Sequence, residues 1–406
     1  MSTPTNARMD LRVLISTSLL AATTGAVAQL ALVLRLTYST GSGWVVASLW
    51  LAGTVPTVLL APVTGLLLDR SETVRVLRLL ALVEAVLDLG LAAVPGVVPV
   101  LMLSLGLGVV SGTTVSGMYA LAGALPWPEG EGQGQAEGRA LTRIQAASWA
   151  GATIGPLGGA ALVSVTGTRL PLVIDAIALI LVAAGLGAVS TRRLPEPTSD
   201  RQRGALWSGL LVLVQDRQIR SLLAPIAVVI AAVNAAVVAE VFLATRVLRA
   251  GSLGYGGMVG IWGAGMVAGT LLAPKLGRLG PLTVTGIGGL LAAVGMAAAG
   301  AAPNLAVALL AYALGGVGNG MEVAAARILV QERAGRALHG RAFSAYFAFG
   351  SSAAIAGMAL GGALLGWLGA RGAMELSAGL AATAGLVLVT AGARLRPAAS
   401  PQPGGS

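Results

Sequence analysis

The chain has 406 residues, a formal net charge of +10, no cysteine, and 56% hydrophobic side chains alongside 58 glycines. Charged residues make up only 10%, against about 25% in soluble domains, too few to cover a water-facing surface of this length. Disorder, a disulfide scaffold and a soluble globular protein are excluded, which leaves a polytopic membrane protein.

A bilayer-crossing helix takes about 20 mostly apolar residues. The first such stretch, 11–36, follows Arg8 and Arg12 and contains Ala26-Val27-Ala28, an imitation of a cleavable leader. Its apolar run continues to Leu36, so it reads as a span. Span two, 44–68, ends in Gly65-Leu66-Leu67-Leu68-Asp69-Arg70, with Arg75 and Arg78 beyond. Span three, 76–95, carries Glu84 and Asp88 on one helix face, about 12 and 18 Å along it from Val76. Two carboxyls this close within a bilayer cannot both hold charge cheaply, so the pair is a candidate for carrying a proton. Span four, 97–125, contains no arginine, and the polar stretch 130–138 after it reads as a flexible loop. Spans five and six cover 143–165 and 170–190. Asp175 lies near the outer end of span six and reads as interfacial.

Residues 191–204 break the pattern with Arg192, Arg193, Arg201 and Arg203 and two prolines. Trp207, Leu210, Leu211 and Val214 then recur at helical spacing, which predicts a short helix on the membrane surface. Six further spans follow at 221–245, 256–274, 281–301, 304–326, 342–368 and 373–393. Glu240 in span seven and Glu322 in span ten are single intramembrane acids, with Asn234 and Asn319 as polar neighbours one or two turns away. Such residues are functional by default. Arg327 is an alternative, purely structural partner for Glu322, and Glu375 reads as interfacial. The expected organisation is a six-helix bundle over 1–190, a linker over 191–220, a second bundle over 221–393 and a tail over 394–406.

Counting Arg and Lys gives 21 on the side of the N-terminus and 5 on the other. The positive-inside rule therefore places both termini in the cytoplasm, in a cell (inner or plasma) membrane. The halves also repeat. Residues 48–67 align with 260–279 at ten of twenty positions without a gap, including Trp50 with Trp262, Pro62 with Pro274 and Gly65 with Gly277. Gly138-Arg139-Ala140 recurs as Gly340-Arg341-Ala342 before span eleven. Six spans per half make the repeats parallel, related by a pseudo-two-fold axis along the membrane normal.

Four segments resemble the major facilitator superfamily over essentially the whole chain. Gly65 to Arg70 with Arg75 and Arg78 resembles its cytoplasmic loop signature. Gly151, Gly155, Pro156 and Gly159 resemble its antiporter signature Gly-x-x-x-Gly-Pro-x-x-Gly-Gly, with Ala160 in place of the final glycine. Leu172-Val173-Ile174-Asp175-Ala176 and Gly340-Arg341-Ala342-Phe343-Ser344 are similar to the macrolide-efflux and enterobactin-exporter branch. The resemblance implies a twelve-helix, all-α fold working by alternating access. It implies a latch in which Asp69 and Arg70 meet the start of span eleven, with Arg341 adding an ion pair; the alternative is that both are solvated loop charges. It implies export as the direction, whereas the absence of an arginine from span four departs from the drug–proton antiporters, and span one, with Ala26 near the place, lacks the acid that exporters of this branch often carry.

Together these readings predict a proton-coupled exporter of hydrophobic small molecules such as antibiotics. The alternatives are a carrier for metabolite uptake or facilitated flux, and a membrane sensor or scaffold that moves nothing. No cluster of charge stands out within the spans, which points to a neutral or weakly cationic cargo. The expected partners are that cargo, protons and lipid, without nucleic acid, cofactor or metal; one chain holds both halves, so a monomer suffices. Enzymatic readings fail on residue supply: His339 is the only histidine, no cysteine is present, and the single lysine, Lys275, is not in a phosphate-binding loop.

Overall fold

A computed structural model describes residues 4–60, 63–64, 67–68, 70–125, 133–191, 215–334 and 339–395; for 4–6, 133–135 and 339–341 this is the backbone alone. Among them there is no strand. The helices are α1 (Pro4–Thr40), α2 (Gly43–Leu59), α3 (Thr73–Ala93), α4 (Val97–Gly123), α5 (Gln133–Thr166) and α6 (Arg169–Gly187), followed by α7 (Arg217–Phe242), α8 (Gly251–Leu272), α9 (Pro281–Ala301) and α10 (Leu305–Arg333). A last run, His339–Arg394, is broken where Gly369 takes φ 68° and ψ −178°, a left-handed backbone open to glycine, and so forms α11 (339–368) and α12 (370–394). Among the described residues these make twelve long α-helices, as the apolar windows predict.

Eight helical runs are long and apolar enough to cross a membrane, α11 and α12 counting together. The others fall short for local reasons. At 17 residues α2 is brief, α3 is interrupted by Arg78, Glu84 and Asp88, and α5 is diluted by glycines around Pro156. One expectation changes here: the polar stretch 130–138 is not all loop, because α5 begins at Gln133 and takes Glu137 and Gly138 into its first turns. The surface helix expected over 207–214 lies outside the described residues.

One compact unit gathers the described residues of 1–200 with 237–263 and 358–370; the second gathers those of 201–236, 264–357 and 371–406. In the first, α1 packs along α5 and α6, α3 against α4 and α6, and α2 against α4. Leu14, Leu77, Leu121, Ile144 and Leu186 join five of these helices in one buried core. In the second, α9 and α10 make the tightest pair, and Ile219, Leu222, Leu329, Tyr346 and Leu388 join α7, α10, α11 and α12. The sequence repeat reappears as a packing motif. A Cβ on Gly108 would sit 2.6 Å from the carbonyl oxygens of Ala52 and Gly53, where α4 crosses α2. A Cβ on Gly265, the repeat partner of Gly53, would sit 2.5 Å from the Ala313 carbonyl, where α8 crosses α10. Small residues let backbones meet where lipid offers no hydrophobic drive for association.

Charged side chains fasten the helix ends. Asp10, 1% exposed, accepts from the backbone N–H and hydroxyl of Ser190 (3.0 and 2.9 Å) and of Thr191 (2.8 and 2.7 Å), tying the start of α1 to the exit of α6. Arg35 donates to the carbonyls of Leu91, at 2.6 Å, and Val94 at the end of α3. Arg371 does the same for Gly300 and Ala302 at the end of α9, at 2.6 and 2.8 Å. A guanidinium at a helix C-terminus satisfies carbonyls that lack an intrahelical partner and complements the dipole.

Candidate functional site

Inside the first unit lies a cavity of about 360 Å³ lined by all six of its first helices. Its wall is apolar where Leu32, Leu49, Leu107, Met118 and Val182 face it, and polar at Gln29, Ser104, Ser111, Thr114 and Ser148. Three carboxyls line it: Glu84 and Asp88 from α3, and Asp175 from α6. No arginine, lysine or histidine is among the described residues that do so. Glu84 accepts a 2.9 Å hydrogen bond from the Thr114 hydroxyl on α4. The carboxyls of Asp88 and Asp175 are hydrogen-bonded to each other, and the Thr24 hydroxyl of α1 bonds Asp175 as well. A bond between two carboxyls requires a proton on one of them, so the pair is a dyad placed to share one.

The dyad corrects the placement of Asp175 at the interface. Asp175 is 5% exposed, because α6 turns it toward α3 and α1 rather than toward lipid. Its Oδ1 has no hydrogen-bond partner, and neither has the buried Ser104 hydroxyl on the same cavity. Spacing along one helix exposes the Glu84–Asp88 pair; the third carboxyl comes from a helix 87 residues further on, and no periodicity signals it.

Each acid of the second half has a partner of its own. Glu240 is bonded by the Tyr255 hydroxyl, both lying in residues 237–263 of the first unit, while Asn234 donates back to the Ile230 carbonyl of its own helix at 2.8 Å. Glu322, 1% exposed, accepts from Asn319 at 2.8 Å, and its second oxygen is buried without a partner. Arg327 does not form the ion pair considered for it; its guanidinium sits over the Phe347 ring, 5.3 Å from the centroid.

The span-five glycines divide the work of α5 between two faces. Gly151, Gly155 and Gly159 face α1, where added Cβ atoms would lie 2.7 Å from the Leu19 carbonyl, 2.5 Å from the Thr23 carbonyl and 3.0 Å from the Val27 Cα. The other face meets the start of α8. A Cβ on Gly256 would lie 2.5 Å from the Pro156 carbonyl and in collision with the Ala160 methyl. Ala160, which departs from the signature, is thus accommodated by a glycine opposite. Ser252 donates to the Ala160 carbonyl at 3.3 Å, and Gly260 and Gly263 face Leu157 and Thr153. At the same end Arg246 donates to the Thr37 carbonyl at 3.3 Å, and Gly43 and Gly362 admit Leu365 and Trp44.

Of the loop signature, Gly65, Asp69 and the side chain of Arg341 lie outside the described residues. Arg70 is exposed, Arg75 pairs with Glu72 at 2.6 Å, and Arg78 donates to the Ala183 carbonyl of α6 at 3.1 Å.

The family model described as Major Facilitator Superfamily matches residues 13–358 and 277–406. The chain belongs to the major facilitator superfamily. Its fold is similar to that of a bacterial homologue of the human lysosomal transporter Spinster, crystallised in an inward-facing and unoccupied conformation (15% identity, TM-score 0.72, 97% of this chain and 96% of that one). It is also similar to the nucleoside transporter NupG (12%, 0.75, 94% and 99%) and to a POT family transporter in complex with 5-aminolevulinic acid (13%, 0.73, 95% and 96%). Among curated proteins none matches in sequence. At these identities the solved structures speak for the fold. As a member of this superfamily the chain is a multi-pass membrane transporter and not an enzyme.

Proposed function

We propose that this transporter exports hydrophobic small molecules such as antibiotics in exchange for protons, in the manner of the macrolide-efflux and enterobactin-exporter branch that it resembles. The observation that carries this reading is the close approach of the Asp88 and Asp175 carboxyls, beside Glu84, in a largely apolar cavity. A buried group that can give up and retake a proton is what coupling to a proton gradient needs. Export follows from the antiporter signature, whose glycines bind α5 closely to α1 while its other face receives α8.

In this reading both termini are cytoplasmic, and the bundles of residues 1–190 and 221–393 rock about the linker. The contacts of α8 on α5 and of Arg246 on Thr37 then belong to a closed outer gate. Asp69 and Arg70, with Arg341, form the latch at the cytoplasmic end. Asp69→Asn is expected to lower transport several-fold with expression intact; normal flux at normal expression removes the latch. The membrane potential adds about 2.3 kcal/mol per charge per 100 mV to the drive.

The test is accumulation of a panel of hydrophobic antibiotics in efflux-deficient bacteria expressing the chain, with and without a proton uncoupler. Lower accumulation that the uncoupler restores is expected. Raised accumulation would indicate uptake, and no change with the protein in the membrane, together with no flux in proteoliposomes, would indicate a protein that transports nothing.

A further inference from the structure

The Thr114 hydroxyl has one proton and two acceptors within its reach. It stands 2.9 Å from Glu84 Oε1 on α3 and 3.3 Å from the Val110 carbonyl, one turn earlier on its own α4. Back-bonding alone is ordinary in helices, as Thr37, Thr142 and Thr153 show at 2.7–2.8 Å. What sets Thr114 apart is a second acceptor that is a titratable carboxyl on another helix. The arrangement recurs at Thr24 of α1, which lies 3.1 Å from the Leu20 carbonyl and is bonded to Asp175. A hydroxyl carries one proton and two lone pairs, so it gives a full hydrogen bond to one acceptor at a time.

Glu84 decides which one. An ionised carboxylate only accepts, so it draws the Thr114 proton to itself in a charge-assisted bond. A protonated carboxyl must place its own O–H on an acceptor, and the Thr114 oxygen is within reach to take it. The hydroxyl then turns to Val110. Both states keep every polar atom bonded, which a buried carboxyl needs if it is to exist in both. The proton taken up stays on Glu84 and the hydroxyl proton stays on Thr114; only hydrogen bonds are exchanged. Glu84 is also within electrostatic reach of Asp88 on its own helix and of Asp175 on α6. From α4 no charged side chain faces it, and Tyr119 is the titratable group that this helix adds to the cavity. Arg169 at the start of α6 is exposed, while Arg78 and Arg35 are held by the carbonyls of Ala183 and of Leu91 and Val94.

A hydroxyl bond to the carbonyl one turn back bends a helix, and α4 has no slack at this level. Thr57 of α2 donates to the Gly108 carbonyl at 2.9 Å, and a Cβ on Gly112 would lie 2.7 Å from the Thr57 methyl. A bend between Val110 and Thr114 is therefore felt by α2, the helix that leads toward the loop signature.

We propose that Thr114 is the positioning residue that converts protonation of Glu84 into movement of α4 against α2. Its hydroxyl points to the carboxylate when Glu84 is charged and to Val110 when Glu84 is neutral. This rests on the proton-coupled reading above and deepens it, naming a residue that neither carries the proton nor touches the cargo.

Infrared difference spectra of the purified full-length protein, between alkaline and acid pH, test this without any need for flux. A carboxyl band that Glu84→Gln removes is expected. Thr114→Val, equal in shape but without the hydroxyl, should shift that band to higher frequency, because the Glu84 O–H loses its acceptor; Thr114→Ser should restore it. The chain has no cysteine, so spin labels at Leu59→Cys and Val98→Cys, both exposed in the parent, report the movement. Their separation should change between the two pH values in the parent and stay fixed in Thr114→Val. An unshifted band in Thr114→Val overturns the proposal. So does the absence of any Glu84 band, or a label separation in the parent that ignores pH. If Thr114→Val does not fold, the parent's label separation and the band of Thr114→Ala still decide. Uncoupler-sensitive export with an unshifted band would sink this inference and spare the function. A shifted band and moving labels without flux in cells or proteoliposomes would do the reverse.

Discussion

Asp10 is the most heavily bonded side chain described in this protein, with four donors from two consecutive residues at the exit of α6. Removing a buried charged acceptor strands its donors, so Asp10→Ala should lower stability by about 2–4 kcal/mol. Asp10→Asn, which keeps one accepting oxygen, should fall between the two, and thermal unfolding in detergent would rank all three. Such detail was partly legible. The sequence identified Glu84 and Asp88 as a pair because a four-residue interval on a helix fixes their common face. It could not find Asp175, since which way a helix turns in a bundle is set by its neighbours and not by its own spacing. The five arginines on the sparser side were equally opaque: a count records them as a minority, whereas Arg35 and Arg371 turn out to cap the ends of α3 and α9.

At the scale of elements, the division of α5 into a face for α1 and a face for α8 gives two separable expectations. Gly155→Val would push α1 and α5 apart, because its Cβ alone would lie 2.5 Å from the Thr23 carbonyl, and should cost expression outright. Gly256→Val disturbs only the seam between α5 and α8. That variant should fold, lose most transport, and expose the α8 start to water. The chain has no cysteine, so Ser252→Cys, buried in the parent, offers a clean reporter. Its labelling by an impermeant thiol reagent should rise several-fold in the Gly256→Val background. Unaltered labelling and transport would mean that the seam is static packing. The signature glycines could be read from sequence, but their partners could not, because glycine is common throughout and carries no periodicity of its own.

At the scale of the whole molecule, twelve helices could be counted from apolar runs alone, since a bilayer imposes their length. What blurs the count is function: α3 fails as an apolar span because it carries the charges that line the cavity. Glu84→Gln combined with Asp88→Asn should therefore make α3 a better span and a worse transporter. Uphill export should be abolished while downhill exchange in proteoliposomes persists; uphill transport at the parental rate would remove the pair from coupling.

The clasp of Asp10 on Ser190 and Thr191 joins residues 180 positions apart in the chain. At about 5–20 residues per second on the ribosome, roughly 10–40 s separate the synthesis of its two sides. During that interval the carboxylate at the head of α1 lacks the four donors that later hold it. The clasp can therefore close only after the chain has been made through Thr191, so the fastening of α1 to the exit of α6 waits on the start of the linker.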